Sequence, residues 1–487
     1  MLTKTHFKSI CGSAILGCLT ALTTPAMAAN DAMMDLLRVL KDKGSITQEE
    51  YELLSGAAKA DDETNSAGQG EIKAAAATLP RIETRGKLEL ATPDGEFSWR
   101  LGGRIHMDAA FMNNDTGFDA SGAKSDPTLT SGTEFRRTRL DLTMTLWRVW
   151  QAKIKYDFTG AAAAGFRDVY VRYLFKGAQP GHLTVGNFKE PFSLDELISS
   201  NDDTFNEHSI ATNTFSLSRQ IGVQYSTWGH DLWTGTVGVF GEDPVASANH
   251  PGAGNDAEGY SVVGRLTLSP FHTADRVAHL GLAGSWRTPD QGDSGITFGP
   301  RPEINKADIL VTTGAIPGIE GYTRLGLELA GVYGPVHGQA EYYNVDVNRG
   351  DELALGAAGM FEDLNFDGYY LQGGWIITGE SRPYKFESGT FENPKPRSIV
   401  GNGGWGAWEA VARYSHVDLQ DDDLGICMLA TAANTCGEQT NLSGGVNWYP
   451  TPNFKFTAQY VQVLDIDGGR YDGAEPGIFQ LHTQANW

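Results

Sequence analysis

The sequence predicts an all-β chain: sixteen antiparallel strands closed into a transmembrane barrel, behind a short N-terminal helical segment. Three observations carry this. From residue 81 onward, apolar and polar residues alternate with a period of two. That is the period at which successive strand side chains face opposite sides of a sheet. Short turns mostly alternate with long polar loops, the asymmetry of bacterial outer-membrane barrels. The chain ends on PGIFQLHTQANW. There Phe479, Leu481, Thr483, Ala485 and Trp487 form a mostly apolar face against Ile478, Gln480, His482, Gln484 and Asn486. A last strand with one apolar face and a terminal aromatic suits closure of a barrel whose outside meets lipid.

The 487 residues open with a leader-like stretch, expected as a signal peptide over 1–28. Lys4 and Lys8 supply its positive end, Ile10 to Leu22 its apolar run, and Ala26-Met27-Ala28 its cleavage site. Ile15-Leu16-Gly17-Cys18 resembles a lipoprotein box, but Leu16 is atypical there. Beyond the leader no apolar run approaches the roughly 18 residues of a membrane helix, so any crossing is made by strands. The formal charge of −22 becomes −24 without Lys4 and Lys8, which argues against a nucleic-acid partner. It says little about a pore, because selectivity depends on where charges line the lumen. Of four cysteines, Cys427 and Cys436 remain in the mature chain. An exported pair nine residues apart is expected to form a disulfide rather than a metal site.

Residues 29–54 read as a short helical or coiled-coil segment. Met33, Leu36, Leu37 and Leu40 recur at helical spacing, Gly44 ends the first helix, and Thr47-Gln48-Glu49-Glu50 is a capping box for a second. Residues 55–80 read as a linker and 81–487 as the barrel. The expected strands lie near 97–111, 135–147, 150–158, 166–175, 181–188, 219–228, 231–240, 258–269, 277–287, 321–333, 335–347, 366–378, 404–416, 439–449, 453–464 and 478–487. Aromatics at the short turns, among them Trp147, Trp150, Tyr173, Phe175, Trp228, Trp233, Trp448 and Tyr449, suggest a periplasmic girdle. One connection breaks the pattern. Residues 379–403 are long, yet strand parity puts them on the short-turn side, as a folded excursion or a miscounted strand.

The stretch FRRTRLDL, KIKYDFTG, FRDVYVRY, LTVGNFKEPFSLDELISS, FNEHS and SRQIGVQYS, with GAWEAVARYSHVDL and GGVNWYPTPNFKFTAQYVQV near the end, resembles the phosphate-selective porin family (porins O and P). LLRVLKDKGSITQEEYELL is also similar to segments that precede such barrels. The resemblance spans roughly 30–60 and 81–487. It implies a trimeric sixteen-stranded outer-membrane porin of a Gram-negative bacterium whose third outer loop folds into the lumen. It also implies ion transport, phosphate among the solutes, and no cofactor. Two departures bear on phosphate. Where selective members carry a lysine after a Ser-Ser pair, this chain has Asn201 after Ser199-Ser200, then Asp202 and Asp203. Where Glu-Arg-Ser is usual, it has Glu207-His208-Ser209. Between Glu190 and Ser218 there are six acids and no Lys or Arg.

Alternation assigns Arg100, Arg104, Arg137, Arg139, Lys153, Lys155 and Arg172 to a lumenal basic wall on strands one to four, with Arg413 added from strand thirteen. Such a wall attracts anions if its cations are unpaired. If they pair with Asp108, Asp141, Asp157 and Asp168, it is a structural network. The expected constriction loop carries Asn201, Asp202, Asp203, Glu207 and His208 and sets acids against that wall. The expected function is passive diffusion of small anions such as phosphate, with weak rather than strict phosphate selectivity. On this reading, removal of Arg137 and Arg139 shifts permeation toward cations and removal of the Asp202 and Asp203 charges shifts it toward anions. The alternative is a secreted all-β binding protein without pore activity. A plug-gated transporter is excluded because 51 residues before the barrel are too few for a plug. The chain has no G-x-S-x-G elbow, no H-E-x-x-H and no Walker loop, so no enzyme is expected. Asp363, Asn365 and Asp367 match the first half of a calcium loop, but Gly374 holds its twelfth position, and no metal is expected.

Overall fold

The computed structural model describes residues 24–60, 79–84 and 87–487, apart from 119–121, 128, 160–164, 178, 242–258, 289–295, 317, 351–361 and 422–435. The leader expected over 1–28 therefore lies largely outside the described residues, as does the linker over 61–78. The chain divides into two units, residues 1–81 and 82–487.

In the first unit, helix α1 runs Thr24–Asp42 and a second helix, α2, covers 48–60. Gly44 takes φ +66° at the end of α1, a conformation that costs glycine nothing. The capping box is made in both directions: Thr47 Oγ1 accepts from the Glu50 amide at 3.2 Å, and Glu50 accepts from the Thr47 amide at 2.8 Å. The second helix extends to residue 60, six residues past the expected boundary.

In the second unit, sixteen long strands form the barrel. Strands β1 (Ser98–Asn113), β2 (Gly132–Leu146), β3 (Trp150–Asp157) and β4 (Phe166–Phe175) carry the expected basic wall. They are followed by β5 (Gly181–Lys189), β6 (Arg219–Gly229), β7 (Trp233–Phe240) and β8 (Tyr260–His272). Strands β9 (Arg276–Thr288), β10 (Ile319–Tyr333), β11 (Val336–Arg349) and β12 (Leu364–Ile376) come next. The barrel ends with β13 (Ala407–Asp418), β14 (Glu438–Thr451), β15 (Phe454–Asp467) and β16 (Gly477–Asn486). Each pairs antiparallel with its neighbour, and β16 closes on β1 from Gly477 opposite Asn113 to Asn486 opposite Arg104. The sixteen expected strands are these sixteen. Trp487 completes the seam by exchanging 3.1 Å backbone bonds with Gly103. A Cβ at Gly103 would stand 2.2 Å from the Trp487 ring, so closure needs glycine there.

The barrel is turned inside out relative to a soluble sheet. Outward residues such as Leu140, Val171, Leu282 and Leu329 are exposed, while inward Arg137, Asp157, Glu341 and Gln480 are buried. This is the distribution expected when lipid covers the outside. Part of the girdle forms as expected: Trp150 packs on Tyr173 at 4.9 Å, and Trp408 stacks on Trp448 at 5.5 Å. Tyr449 departs from it, being buried inside with its hydroxyl 2.8 Å from Glu409, because alternation after outward-facing Trp448 turns it to the lumen.

Three connections fold into the barrel. The third long loop, 190–218, contains α3 (Leu194–Leu197) and α4 (Ile210–Phe215), capped by the Ser193 and Ser209 hydroxyls at 3.1 Å. Its Phe192, Ile210 and Phe215 enter one apolar cluster with Phe298, Leu310 and Val311 of the 296–316 loop and Tyr343 and Phe366 of the wall. The third is 379–403, which resolves the sequence ambiguity as an excursion. It forms a hairpin, Tyr384–Lys385 with Thr390–Phe391, inside the barrel. Tyr384 Oη lies 2.7 Å from Ser269 Oγ and 2.8 Å from His279 Nδ1, and Phe391 packs with Leu194, Ile198 and Val277.

The expected Cys427–Cys436 pair is only half visible. Cys436 is buried in the apolar cluster, and Cys427 lies outside the described residues.

Candidate functional site

The three inward connections leave a water-accessible cavity of about 1110 Å³ against β1–β6. Its lining carries fourteen Lys and Arg side chains against five carboxylates, Asp141, Asp168, Glu196, Glu207 and Glu387. Seven of the eight residues expected as the basic wall are there: Arg100, Arg104, Arg137, Arg139, Lys153, Lys155 and Arg172.

Arg413 is placed elsewhere. It is buried, its guanidinium 4.1 Å over the Phe205 ring, with Nη2 donating to Glu207 O at 2.9 Å and Nε 3.4 Å from Glu303. It anchors two inward loops instead of lining the cavity, because both loops cover β13. Nor does it pair with Glu409, whose carboxylate is taken by His337 at 2.6 Å, Asn447 at 2.7 Å and Tyr449 at 2.8 Å.

The wall is partly neutralised by carboxylates, each shared among several cations. Asp168 takes Lys155 at 2.7 Å, Arg219 at 2.7 Å and Lys153 at 3.6 Å. Asp157 takes Arg139 at 2.6 Å and Arg167 at 3.6 Å. Among the described residues no carboxylate lies within 4 Å of Arg100, Arg104 or Arg172. Arg172 instead donates to Thr184 Oγ1 at 2.9 Å and lies 4.8 Å over the Tyr170 ring. Arg104 donates to Ser200 Oγ at 2.6 Å, while its buried Nε has no acceptor among the described residues. Arg104 also stands directly opposite Arg139 across the β1–β2 ladder. Like charges in that register destabilise a sheet, and here the Asp157 carboxylate 2.6 Å from Arg139 offsets the repulsion.

Period-two alternation missed two of the wall's cations. At His106/Met107 the β1–β2 register slips by one residue, so Arg136 and Arg137 both face inward. A second bulge between β3 and β4 does the same for Arg167 and Asp168. Adjacent charges inside a membrane strand are the signal that could have shown this. Strict alternation would put one of them in lipid at roughly 2–4 kcal/mol, and a bulge avoids that. Lys189 and Arg219, which flank the third loop, also line the cavity, as do Lys87, Arg265 and Lys385.

The loop expected to form the constriction does not set six acids against this wall. Glu190 is buried and held by Arg324 at 2.8 Å and Arg287 at 3.7 Å. Glu207 accepts both arms of Arg136, at 2.5 and 2.9 Å, with Arg137 at 3.5 Å. Burial opposes ionisation of Glu207, but these two guanidiniums hold its carboxyl at about 2. Asp202 and Asp203 lie behind the cavity and outside its lining. Asp202 accepts from the Asn393 amide at 3.0 Å, and Asp203 is buried, which pushes its carboxyl up to about 6. Asn201 does face the cavity, with Oδ1 3.2 Å from His106 Nε2. The loop's acids are thus mostly spent on holding the loop, and of the acids expected to face the wall only Glu196 and Glu207 line the cavity.

His208 also faces the cavity, between Asp195 at 3.5 Å and Glu196 at 3.3 Å. Burial lowers its affinity for a proton, but the Asp195 and Glu196 carboxylates outweigh this and raise it to about 9. A raised imidazole stabilises the loop fully below its ordinary 6.5 and loses that contribution as pH climbs through about 9. The temperature at which folded protein converts to the slower heat-denatured band on a gel should therefore fall between pH 6.5 and 9. His208→Gln should flatten that slope; an unchanged slope in the variant would assign it to other groups.

The family model described as phosphate-selective porin O and P matches residues 100–476. Porin O of Pseudomonas aeruginosa is 29% identical over 414 residues, covering 78% of this chain and 86% of that protein. An uncharacterised protein of Caulobacter vibrioides is 29% identical over 387 residues, covering 78% of this chain and 70% of its own. Among solved structures, the anion-selective porin from Comamonas acidovorans overlays with a TM-score of 0.46 at 14% identity, covering 80% of this chain and 100% of that one. The outer membrane channel DcaP of Acinetobacter baumannii overlays with a TM-score of 0.47 at 13% identity, covering 80% and 97%.

Proposed function

This chain belongs to the phosphate-selective porin O and P family and is an outer-membrane porin of a Gram-negative bacterium; from that premise we propose that it passes small anions such as phosphate by diffusion, with weak rather than strict selectivity for phosphate. The observation that carries the reading is the charge of the cavity lining, fourteen cations against five carboxylates. Clefts of one sign bounded by low-dielectric walls raise the local concentration of the opposite ion. Arg104 adds a buried donor without an acceptor among the described residues, beside the Ser200 hydroxyl.

The weakness of phosphate selectivity is argued from the loop. A tight phosphate site needs several convergent charged donors. Here the position after Ser199-Ser200 is neutral Asn201, and Arg136, Arg137 and Arg139 are partly engaged by Glu207 and Asp157. The family resemblance further supports a homotrimer, which native mass measurement in detergent would test.

In planar bilayers under a potassium chloride gradient, the reversal potential should report chloride preferred over potassium. Phosphate should reduce chloride current only at millimolar levels. Potassium preference would overturn the anion reading. Block by micromolar phosphate would overturn the weak-selectivity part alone.

A further inference from the structure

The tip of the third loop, residues 201–204, is held from behind by an unbroken series of bonds. Every backbone carbonyl in it accepts a side-chain donor. Asn201 O takes Gln484 Nε2 at 3.0 Å and also Asn393 Nδ2. Asp202 O takes Arg382 Nη2. Asp203 O takes Lys455 Nζ at 2.6 Å, and Thr204 O takes Asn447 Nδ2 at 2.9 Å. Arg382 adds a 2.7 Å bond from Nη1 to Thr204 Oγ1, and the Asn393 amide reaches the Asp202 carboxylate at 3.0 Å. None of these five donors lines the cavity. Three belong to β14–β16; Arg382 and Asn393 belong to the excursion 379–403.

The other side of the same tip meets the basic wall. Ser200 Oγ is bound by Arg104, whose Nε is buried without an acceptor among the described residues, and Asn201 Oδ1 meets His106. A carbonyl freed from its donor next to Ser200 becomes a competing acceptor for such a guanidinium. Backbone oxygens turned into a pore bind cations and repel anions.

We propose that Arg382 and Asn393 are positioning residues for ion selectivity: by pinning the carbonyls of 201–204 away from the cavity, they leave the Arg104 and Arg137 guanidiniums open to a passing anion. The excursion from the periplasmic side therefore sets selectivity through the outer loop. This deepens the anion-channel reading and rests on it.

The test compares unmodified full-length protein with Asn393→Ala, Arg382→Gln and Arg382→Lys in planar bilayers, with heat-modified gel migration as the check of folding. Asn393→Ala changes no charge and is made together with Gln484→Ala, because Gln484 Nε2 alone would still hold Asn201 O at 3.0 Å. This neutral pair should lower the chloride-to-potassium permeability ratio on the order of threefold and add open-channel noise. Arg382→Gln should lower the ratio further. Its former neighbour Glu409, 3.7 Å away, keeps its bonds to His337, Asn447 and Tyr449. Arg382→Lys keeps the charge with one reaching group in place of a fork, and should fall between. A folded channel carrying the neutral pair with unchanged ratio and noise overturns the proposal. So does Arg382→Lys matching the unmodified protein while Arg382→Gln does not, since charge alone would then suffice. If Arg382→Gln fails to fold, the neutral pair decides. Should the unmodified channel show no anion preference, the function proposed above fails, whereas this proposal stands or falls on the change that the neutral pair makes.

Discussion

Replacing Arg104, Arg137 and Arg139 together by alanine is expected to abolish anion preference and move the reversal potential to the cation side. Arg104 faces Arg139 across β1 and β2, Arg137 lies two residues along β2 opposite His106, and removal of the three leaves eleven cations in the cavity lining. The loss exceeds that proportion because of which carboxylates it frees. Asp157 loses its 2.6 Å partner and Glu207 one of its two. At roughly 6 Å and an effective dielectric of 20, one charge acts on a passing ion with about 3 kcal/mol before screening. Three such changes on one stretch of wall are large against the RT-scale differences that set permeability ratios. The effect should shrink in molar salt, where the Debye length falls to about 3 Å. A reversal potential unchanged at low salt would show that the conducting path avoids this wall. Asp202→Asn with Asp203→Asn is the matched control. Sequence alone suggested a shift toward anions, but both carboxylates sit behind the cavity, so the change should be small.

The second large effect is structural. Arg324→Ala should loosen the third loop and lower the temperature of heat-modified migration more than any single cavity substitution. Arg324 ties both ends of the loop to β10. Its Nη2 binds Glu190 at 2.8 Å at the loop's start, and its Nη1 donates to Phe215 O at 3.1 Å near its end. Its Nε donates to Ser285 Oγ at 2.8 Å, and the guanidinium lies 4.5 Å over Phe192. Glu190 is fully buried, so the variant leaves its carboxylate with the Ser261 hydroxyl at 3.0 Å and, as its nearest remaining cation among the described residues, Arg287 at 3.7 Å. Removing one partner of a buried pair costs about 3–5 kcal/mol. Glu190→Gln with Arg324→Met, which removes both charges, should recover much of the loss. A double variant as unstable as Arg324→Ala would place the cost in lost packing and not in the stranded charge.

The barrel was legible because its rule is local. Each strand states its inward and outward faces by alternation, and lipid outside enforces that rule strongly. Turn length then orders the strands, and sixteen were found where sixteen stand. Where alternation slips, the reading failed. Arg136 and Arg167 enter the lumen because a bulge spares them from lipid, and no count of two shows a bulge in advance. The basic wall was legible for the same local reason, since Arg100, Arg104, Arg137, Arg139, Lys153, Lys155 and Arg172 follow from their strands alone.

What lies within the barrel was not legible. Asp202, Asp203 and Arg413 were expected to bear on the solute path from composition and strand face. The structure gives Asp202 to Asn393, buries Asp203 and sets Arg413 under Phe205. Residues 379–403 could be recognised as anomalous but not as a hairpin in the lumen, bound by Arg265 to Ser388 O and Gly389 O. The sequence by itself determined the number of strands, which face of each meets lipid and the sign of the wall. Tertiary structure alone decided which charges remain open to a solute. A strand's faces follow from the geometry of neighbouring residues, whereas the pairing of a lumenal charge depends on loops hundreds of residues away arriving at the same place.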